Sequence, residues 1–294
     1  MKPVAPQWLA RVSCTCRLSK WRPELGGLCS RKPLVFCLSL LLLLLFLLVW
    51  LDVRACGNDV RQFQARLRDQ QLQLLMDTLD VFADTLTEAS VPFFLYGGTL
   101  LGSWRHHGLI PWDDDVDVAV PVALKGNLSR LLDRLQPHYL VNKAQHVRWK
   151  LFSRNAVVAD GLTWGSPYVD ISFYNVSDTH VWDSDVYFAD RNFVFPRSVV
   201  FPLTLRPIQG RQFQSPSNAE AVLRTTYDLE LCQTSSYSHL EERGLAVCSE
   251  LPCSRLRGLF PFVRRTALDG GACQETLMLN GTVVSRVVLR EQRC

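Results

Sequence analysis

The apolar positions of this chain fall into three regimes. Residues 34–51 are continuously hydrophobic, 18 positions in which only Ser39 is polar. As a helix such a run spans about 27 Å at 1.5 Å per residue, close to a bilayer core of about 30 Å. Residues 58–89 are polar with Leu72, Leu75, Met76, Leu79, Phe82 and Leu86 at helical spacing, which predicts an amphipathic helix packing on a sheet. Beyond it the pattern shortens. Residues 93–98, FFLYGG, form a brief apolar run stopped by two glycines, a buried strand that turns sharply into a short helix ending at Gly108. Residues 115–121 and 168–175 read as two further strands: Asp115 and Asp117 share one face, Val116 and Val118 the other, and Asp170 lies between Val169 and Ile171. Prolines and glycines over 196–218 mark hairpins, and Ser217 or Asn218 opens a helix. From residue 232 onward no period is evident.

The apolar run has a sidedness. Arg31 and Lys32 precede it and Asp52 follows, so the positive-inside rule predicts a cytosolic N-terminus. Val53, Arg54 and Ala55 resemble a cleavage site, but the apolar core is longer than a signal peptide's usual 7–15 residues or so. The expected organisation is a cytosolic basic tail (1–32), a retained transmembrane signal anchor (33–52), a stem (53–70), a catalytic domain (71–231) and a cysteine-containing extension (232–294). That is a single-pass type II protein of the Golgi membrane, with the ER as the alternative location.

Charge and cysteines sharpen this picture. The composition, 48% hydrophobic and 20% charged, excludes a disordered chain. The net charge of +4 is concentrated in the tail; residues 33–294 carry 25 basic and 27 acidic residues, which argues against nucleic acid as a partner. Cys56, Cys232, Cys248, Cys253, Cys273 and Cys294 would face an oxidising lumen and form disulfides of unassigned pairing, with Cys56 alternatively linking two chains as a homodimer. Asn127, Asn175 and Asn280 stand in glycosylation sequons.

The chemistry concentrates in PWDDDVDV, where Asp113, Asp114, Asp115 and Asp117 crowd together. Carboxylates this close repel unless a cation neutralises them. Ile110, Pro111, Trp112, Val116 and Val118 make the surroundings too apolar for a solvated loop, and an EF-hand is excluded because Val118 and Leu124 occupy its glycine and glutamate positions. Asp113, Asp115 and Asp117, joined by Asp170 from the neighbouring strand, are therefore candidate ligands of Mg²⁺ or Mn²⁺. Such a cation serves phosphoryl transfer by stabilising charge on the diphosphate and the leaving oxygen. The Gly97–Gly98 turn would let the backbone approach a phosphate.

The stretch FFLYGGTLLGSWRHHGLIPWDDDVDVAVP resembles the core motif of the LicD family, which includes bacterial phosphocholine transferases, fukutin and fukutin-related protein. The likeness continues through YVDISFYN and through residues 201–228, covering about 70–230. It implies a nucleotidyltransferase-type α/β (α+β) fold, a mixed sheet flanked by helices. It also implies transfer of a phospho-alcohol, such as ribitol phosphate or phosphocholine, from a CDP-activated donor to a glycan or glycoprotein acceptor. Carried over by position, Gly97 and Gly98, with Thr99 beside them, would line the donor diphosphate, Asp115 and Asp117 would hold the metal, and Asp170 would be the third catalytic carboxylate. The family usually has Tyr-Gly at Tyr227-Asp228, and the tail after residue 232 has no family counterpart.

Neighbouring residues carry two readings each. Arg105 suits a diphosphate or pairs with a surplus aspartate. His106 would contact a phosphate or cap a helix; Lys150 would reach the donor or sit on the surface. Trp112 and Tyr96 read as packing. Two rival functions remain at this point: a nucleotide-sugar glycosyltransferase using Asp115 and Asp117 as its DxD motif, and a non-catalytic protein that binds glycans or organises enzymes.

Overall fold

A computed structural model describes residues 39–42, 56–144, 147–189, 193–235, 237–245 and 248–289. The chain divides into two units, residues 1–55 and 56–294. In the first, residues 39–42 are helical; the basic tail and the rest of the expected anchor lie outside the described residues. Among the described residues no helix is long and apolar enough to cross a membrane.

The second unit is built on a mixed sheet. The amphipathic stretch forms helix α1 (Asp69–Glu88), whose Leu75, Met76, Leu79, Phe82 and Leu86 are buried. It starts later than its periodicity suggested because residues before it form a 3₁₀ turn, Val60–Gln62, capped by the Asp59 carboxylate. The expected stem is from Cys56 onward part of the folded unit. Phe63 is buried edge-on against Trp112, and Cys56 is disulfide-bonded to Cys248.

The sheet runs β1 (Phe94–Leu95), β2 (Val116–Pro121), β5 (Val169–Val176), β4 (Arg148–Ser153) and β3 (Tyr139–Asn142). Strands β2 and β5 are parallel, and the other neighbours in that row are antiparallel. Strands β6 (His180–Asp183) and β7 (Val194–Pro196) extend the sheet from the far end of β5. Period-two alternation gives the sheet two unlike faces. Val116, Val118, Trp149, Leu151, Val169 and Ile171 are buried in the hydrophobic core, while Asp117, Asp170 and Lys150 stand in register across β2, β5 and β4 on the other face.

Helix α2 (Gly97–His106) follows β1 directly. It ends one residue earlier than Gly108 would dictate, because His107 itself takes the left-handed conformation, φ 50°. Helix α3 (Lys125–Asp133) follows β2. The Pro- and Gly-marked segment forms the hairpin β8 (Thr204–Ile208) and β9 (Arg211–Ser215). Helix α4 (Ala219–Thr226) is capped by Asn218, whose side chain accepts from the Ala221 N–H.

The C-terminal region has a definite structure despite its lack of period. Strands β10 (Leu231–Gln233) and β11 (Glu250–Pro252) pair and are stapled by Cys232–Cys253. A three-stranded antiparallel meander follows, β12 (Phe262–Ala267), β13 (Cys273–Leu279) and β14 (Thr282–Leu289). Cys273 is also disulfide-bonded, and Cys294 lies outside the described residues. Cys56 is paired within the chain, which removes the thiol that would have linked a homodimer. Of the sequon asparagines, Asn280 is exposed at the β13–β14 turn, and Asn127 and Asn175 are half-buried.

Candidate active site

The polar face of the sheet and the N-terminus of α2 enclose a cavity of about 450 Å³, within the usual range of roughly 300–1,000 Å³ for small-ligand sites. Gly97, Gly98, Asp113, Asp115, Asp117 and Asp170 line it. One carboxylate oxygen from each of Asp115, Asp117 and Asp170 lies within 4.8 Å of the others. Parallel pairing makes this possible, since Asp117 and Asp170 are register partners on adjacent strands. The β2 backbone is tied to α2 as well: the Asp117 N–H donates to Thr99 Oγ1 at 2.7 Å, and the Gly98 N–H donates to Asp117 Oδ2 at 3.2 Å.

The two glycines are dictated by the carboxylates. A Cβ on Gly97 would lie 2.8 Å from Asp117 Oδ2, and one on Gly98 would lie 2.8 Å from Asp113 Oδ2. Gly97 also has φ +50°, a conformation that costs a side chain energy. Gly97→Ala is accordingly expected to destabilise the fold by about 1–3 kcal/mol. Gly98→Ala meets only the movable end of Asp113, so its melting temperature should stay near wild type while turnover falls by about 10–100-fold through misplacement of that carboxylate. Thermal melts beside rate measurements on the two variants separate these effects.

The electrostatics favour a bound cation. Burial, followed by repulsion from Asp170 and Asp113, pushes the Asp117 carboxyl up to about 7. Burial and the charges of Asp117, Asp113 and Asp170 hold Asp115 well above the ordinary carboxylate range, and burial raises Asp113 too. Buried carboxylates in this state bind protons when no metal neutralises them. Asp170 Oδ1 is buried without a hydrogen-bond partner among the described residues. All-oxygen donors, crowding and an orphaned carboxylate oxygen together fit a hard divalent ion held by Asp115, Asp117 and Asp170.

Asp114 differs from its neighbours. Its Oδ2 accepts from Ser238 Oγ at 3.1 Å and the Leu240 N–H at 3.3 Å, and Arg66 lies 3.7 Å away. Burial acts against ionisation, but the His239 hydrogen bond and the charges of His239 and Arg66 outweigh it and lower the Asp114 pKa. Asp114 thus clamps segment 238–240 onto the site.

The remaining sequence candidates are placed as follows. Arg105 lines the cavity, but its Nη2 donates to the carbonyls of Asp228, Leu229 and Leu231, supporting the chain that leads into β10. His106 is not at the cavity wall. Its Nδ1 lies 2.6 Å from the Pro261 carbonyl, its ring packs against Trp112 and Phe262, and burial lowers its pKa to about 4. Lys150 stands behind Asp170, its Nζ 3.8 Å from Asp170 Oδ2, 3.5 Å from Glu242 and 3.7 Å from the Tyr168 ring centre. Its expected reach to a donor is taken up by positioning Asp170. Trp112 is buried and donates to the Gln233 carbonyl at 3.0 Å. Tyr96 does more than pack, since its hydroxyl donates to Asp183 Oδ2 at 2.9 Å at the cavity wall.

Among the lining residues that were not foreseen are Arg148 and His239, which carry charge into the site. Arg148 donates to Asp183 Oδ2 at 3.0 Å and stacks 4.1 Å from the Phe188 ring centre. Its signal was its position two residues before Lys150 on a strand, hence on the same face. His239 had no local signal, because a loop of the aperiodic C-terminal region delivers it.

Residues 90–218 match the LicD/FKTN/FKRP nucleotidyltransferase domain. This match covers less than half of the chain and marks a likeness to the LicD family. The chain is similar to the lipopolysaccharide cholinephosphotransferase LicD of Haemophilus influenzae, 31% identical over 121 residues that cover 37% of this chain and 44% of that protein. It is also similar to the ribitol 5-phosphate transferase FKRP of Mus musculus, 25% identical over 188 residues, 56% of this chain and 33% of that protein. The Homo sapiens FKRP is 24% identical over 254 residues, 74% of this chain and 47% of that protein. The chain therefore spans less than half the length of each of these relatives. Arg148, Asp170 and Asp117 fall inside the matched segment, and Thr226, Tyr227 and His239 of the cavity wall fall beyond it.

Proposed function

We propose that this chain is a metal-dependent transferase that moves a phospho-alcohol, such as ribitol phosphate or phosphocholine, from a CDP-linked donor to a glycan acceptor. The observation that carries the reading is the convergence of Asp115, Asp117 and Asp170 at the N-terminus of α2, in a chain whose residues 90–218 match the LicD family. The names of its relatives, a cholinephosphotransferase and ribitol 5-phosphate transferases, support the reaction class.

In this reading the acceptor hydroxyl attacks the phosphorus distal to cytidine, a new O–P bond forms, the bond to CMP breaks, and the hydroxyl proton passes to a site carboxylate. A bound Mg²⁺ or Mn²⁺ supplies charge stabilisation for the diphosphate. Asp115, Asp117 and Asp170 would hold it. Gly97 and Gly98 place the positive end of α2 toward the diphosphate with no Cβ between. Lys150, anchored by Glu242, fixes Asp170. The three disulfide-bonded regions and the apolar run at 34–51 support a luminal enzyme held by one N-terminal helix in the Golgi or ER membrane.

A thermal-shift titration of the full chain with CDP, UDP and GDP, with and without Mn²⁺, tests the donor class. CDP should stabilise only with Mn²⁺, by about 2.7 kcal/mol at a concentration one hundred times its Kd. A preference for UDP or GDP would replace this reading with nucleotide-sugar chemistry.

A further inference from the structure

His239 comes from the C-terminal region, outside the segment matched to the LicD family, yet it reaches the centre of the site. Its Nδ1 lies 3.1 Å from Asp114 Oδ1, and its backbone N–H donates to the same oxygen at 3.3 Å. Asp114 is otherwise saturated by Ser238, Leu240 and Arg66, which makes it a fixed acceptor. An Nδ1–H held by a buried carboxylate leaves the lone pair on Nε2, the arrangement by which carboxylates orient metal-binding histidines. Nε2 points toward Asp115, 3.5 Å from its Oδ2. Ligand atoms of Asp113, Asp114, Asp115 and His239 all lie within 4.8 Å of one another, and Asp115 also belongs to the Asp115–Asp117–Asp170 group. In that adjoining group Asp170 Oδ1 is buried with no hydrogen-bond partner among the described residues, although Lys150 lies 3.8 Å from Oδ2.

We propose that Asp113, Asp115 and His239 Nε2 form a second divalent-cation position, with Asp115 bridging to the first and Asp114 orienting the imidazole. The inference rests on the reading of Asp115, Asp117 and Asp170 as a cation site. Its chemical consequence is selectivity. An all-oxygen position accepts Mg²⁺ readily, whereas one imidazole nitrogen shifts preference toward Mn²⁺ and other first-row transition ions. The C-terminal region then does more than cover the catalytic domain, because it contributes a ligand that sets which metal the enzyme uses. Paired cations about 3.5–4 Å apart suit displacement at phosphorus, one at the attacking oxygen and one at the leaving oxygen.

Pulsed electron paramagnetic resonance on the untagged full chain loaded with Mn²⁺ tests this directly. The expected spectrum shows ¹⁴N modulation from a directly bound imidazole, lost in His239→Gln. Mn²⁺ affinity at that position should fall by more than about 100-fold in the variant, beyond what losing a partner outside the coordination sphere costs. A melt in EDTA checks that the variant folds, and if it does not, the wild-type spectrum still decides. Bound Mn²⁺ without ¹⁴N modulation, or modulation that survives His239→Gln, would overturn the role of His239 while leaving the aspartate site standing. No Mn²⁺ binding at all would overturn both.

Discussion

Asp117→Asn is expected to abolish turnover while leaving the protein folded and at least as stable as wild type without metal. The activity loss should exceed about 100-fold, the upper end of what removing a partner outside the coordination sphere costs, because Asp117 is placed in that sphere. The stability expectation follows from its environment. The Asp117 carboxyl is pushed up to about 7 by burial and by Asp170 and Asp113, against an ordinary 3.8. Over the interval between those values the folded state keeps a proton that the unfolded chain has released. Stability of the metal-free protein therefore falls as pH rises from about 4 through about 7. Mn²⁺ should reverse the loss at the upper end. Asn removes the charge, so the variant should show a flatter pH profile in EDTA and little stabilisation by Mn²⁺. Melting curves across this range, with EDTA and with Mn²⁺, read both effects. Retained turnover in Asp117→Asn would remove Asp117 from the active site.

Glu275→Gln should have the largest effect on stability. Glu275, on β13, is 1% exposed and is the shared partner of His107 at 2.8 Å, Arg206 at 2.9 Å and Arg265 at 2.8 Å. These groups come from the end of α2, from β8 and from β12, so one carboxylate joins the catalytic domain to the C-terminal meander. The amide would leave two arginines close together without the opposing charge, and breaking a buried pair this way costs about 3–5 kcal/mol. In a unit of this size that lowers Tm by on the order of 10 °C. The hydrogen-bonded His107 and the charges of Arg206 and Arg265 outweigh burial and hold the Glu275 carboxyl down to about 2 from 4.5. Its contribution is therefore fully present above about 4.5 and is lost as pH falls toward 2. The Tm gap between wild type and variant should narrow over that interval. A constant gap would mean that packing rather than charge sets the cost.

The contrast between these two residues shows how far the sequence could be read. Asp117 was legible because its strand alternates, its neighbours are apolar and four aspartates crowd one turn. The same local patterns located α1, α2, β2, β5 and the hairpin of β8 and β9. Glu275 meets His107, His239 meets Asp114 and Arg148 meets Asp183 across 35 to 168 residues of sequence. Pairing at that distance leaves no periodic trace. Arg105 and His106 show how nearness in sequence can mislead about direction. They sit between the glycine turn and the aspartates in sequence, but successive positions on α2 point to different sides. One supports backbone carbonyls and the other enters an aromatic cluster.

The most direct measurement is release of CMP by the purified full chain from CDP-ribitol and from CDP-choline, with Mn²⁺ and with EDTA, in the presence of a mixed glycan acceptor pool. The account predicts CMP release from at least one of the two donors, dependent on metal and absent in Asp117→Asn. Metal-dependent CDP binding with no CMP release from either donor, or release that is indifferent to EDTA and to Asp117→Asn, would contradict it.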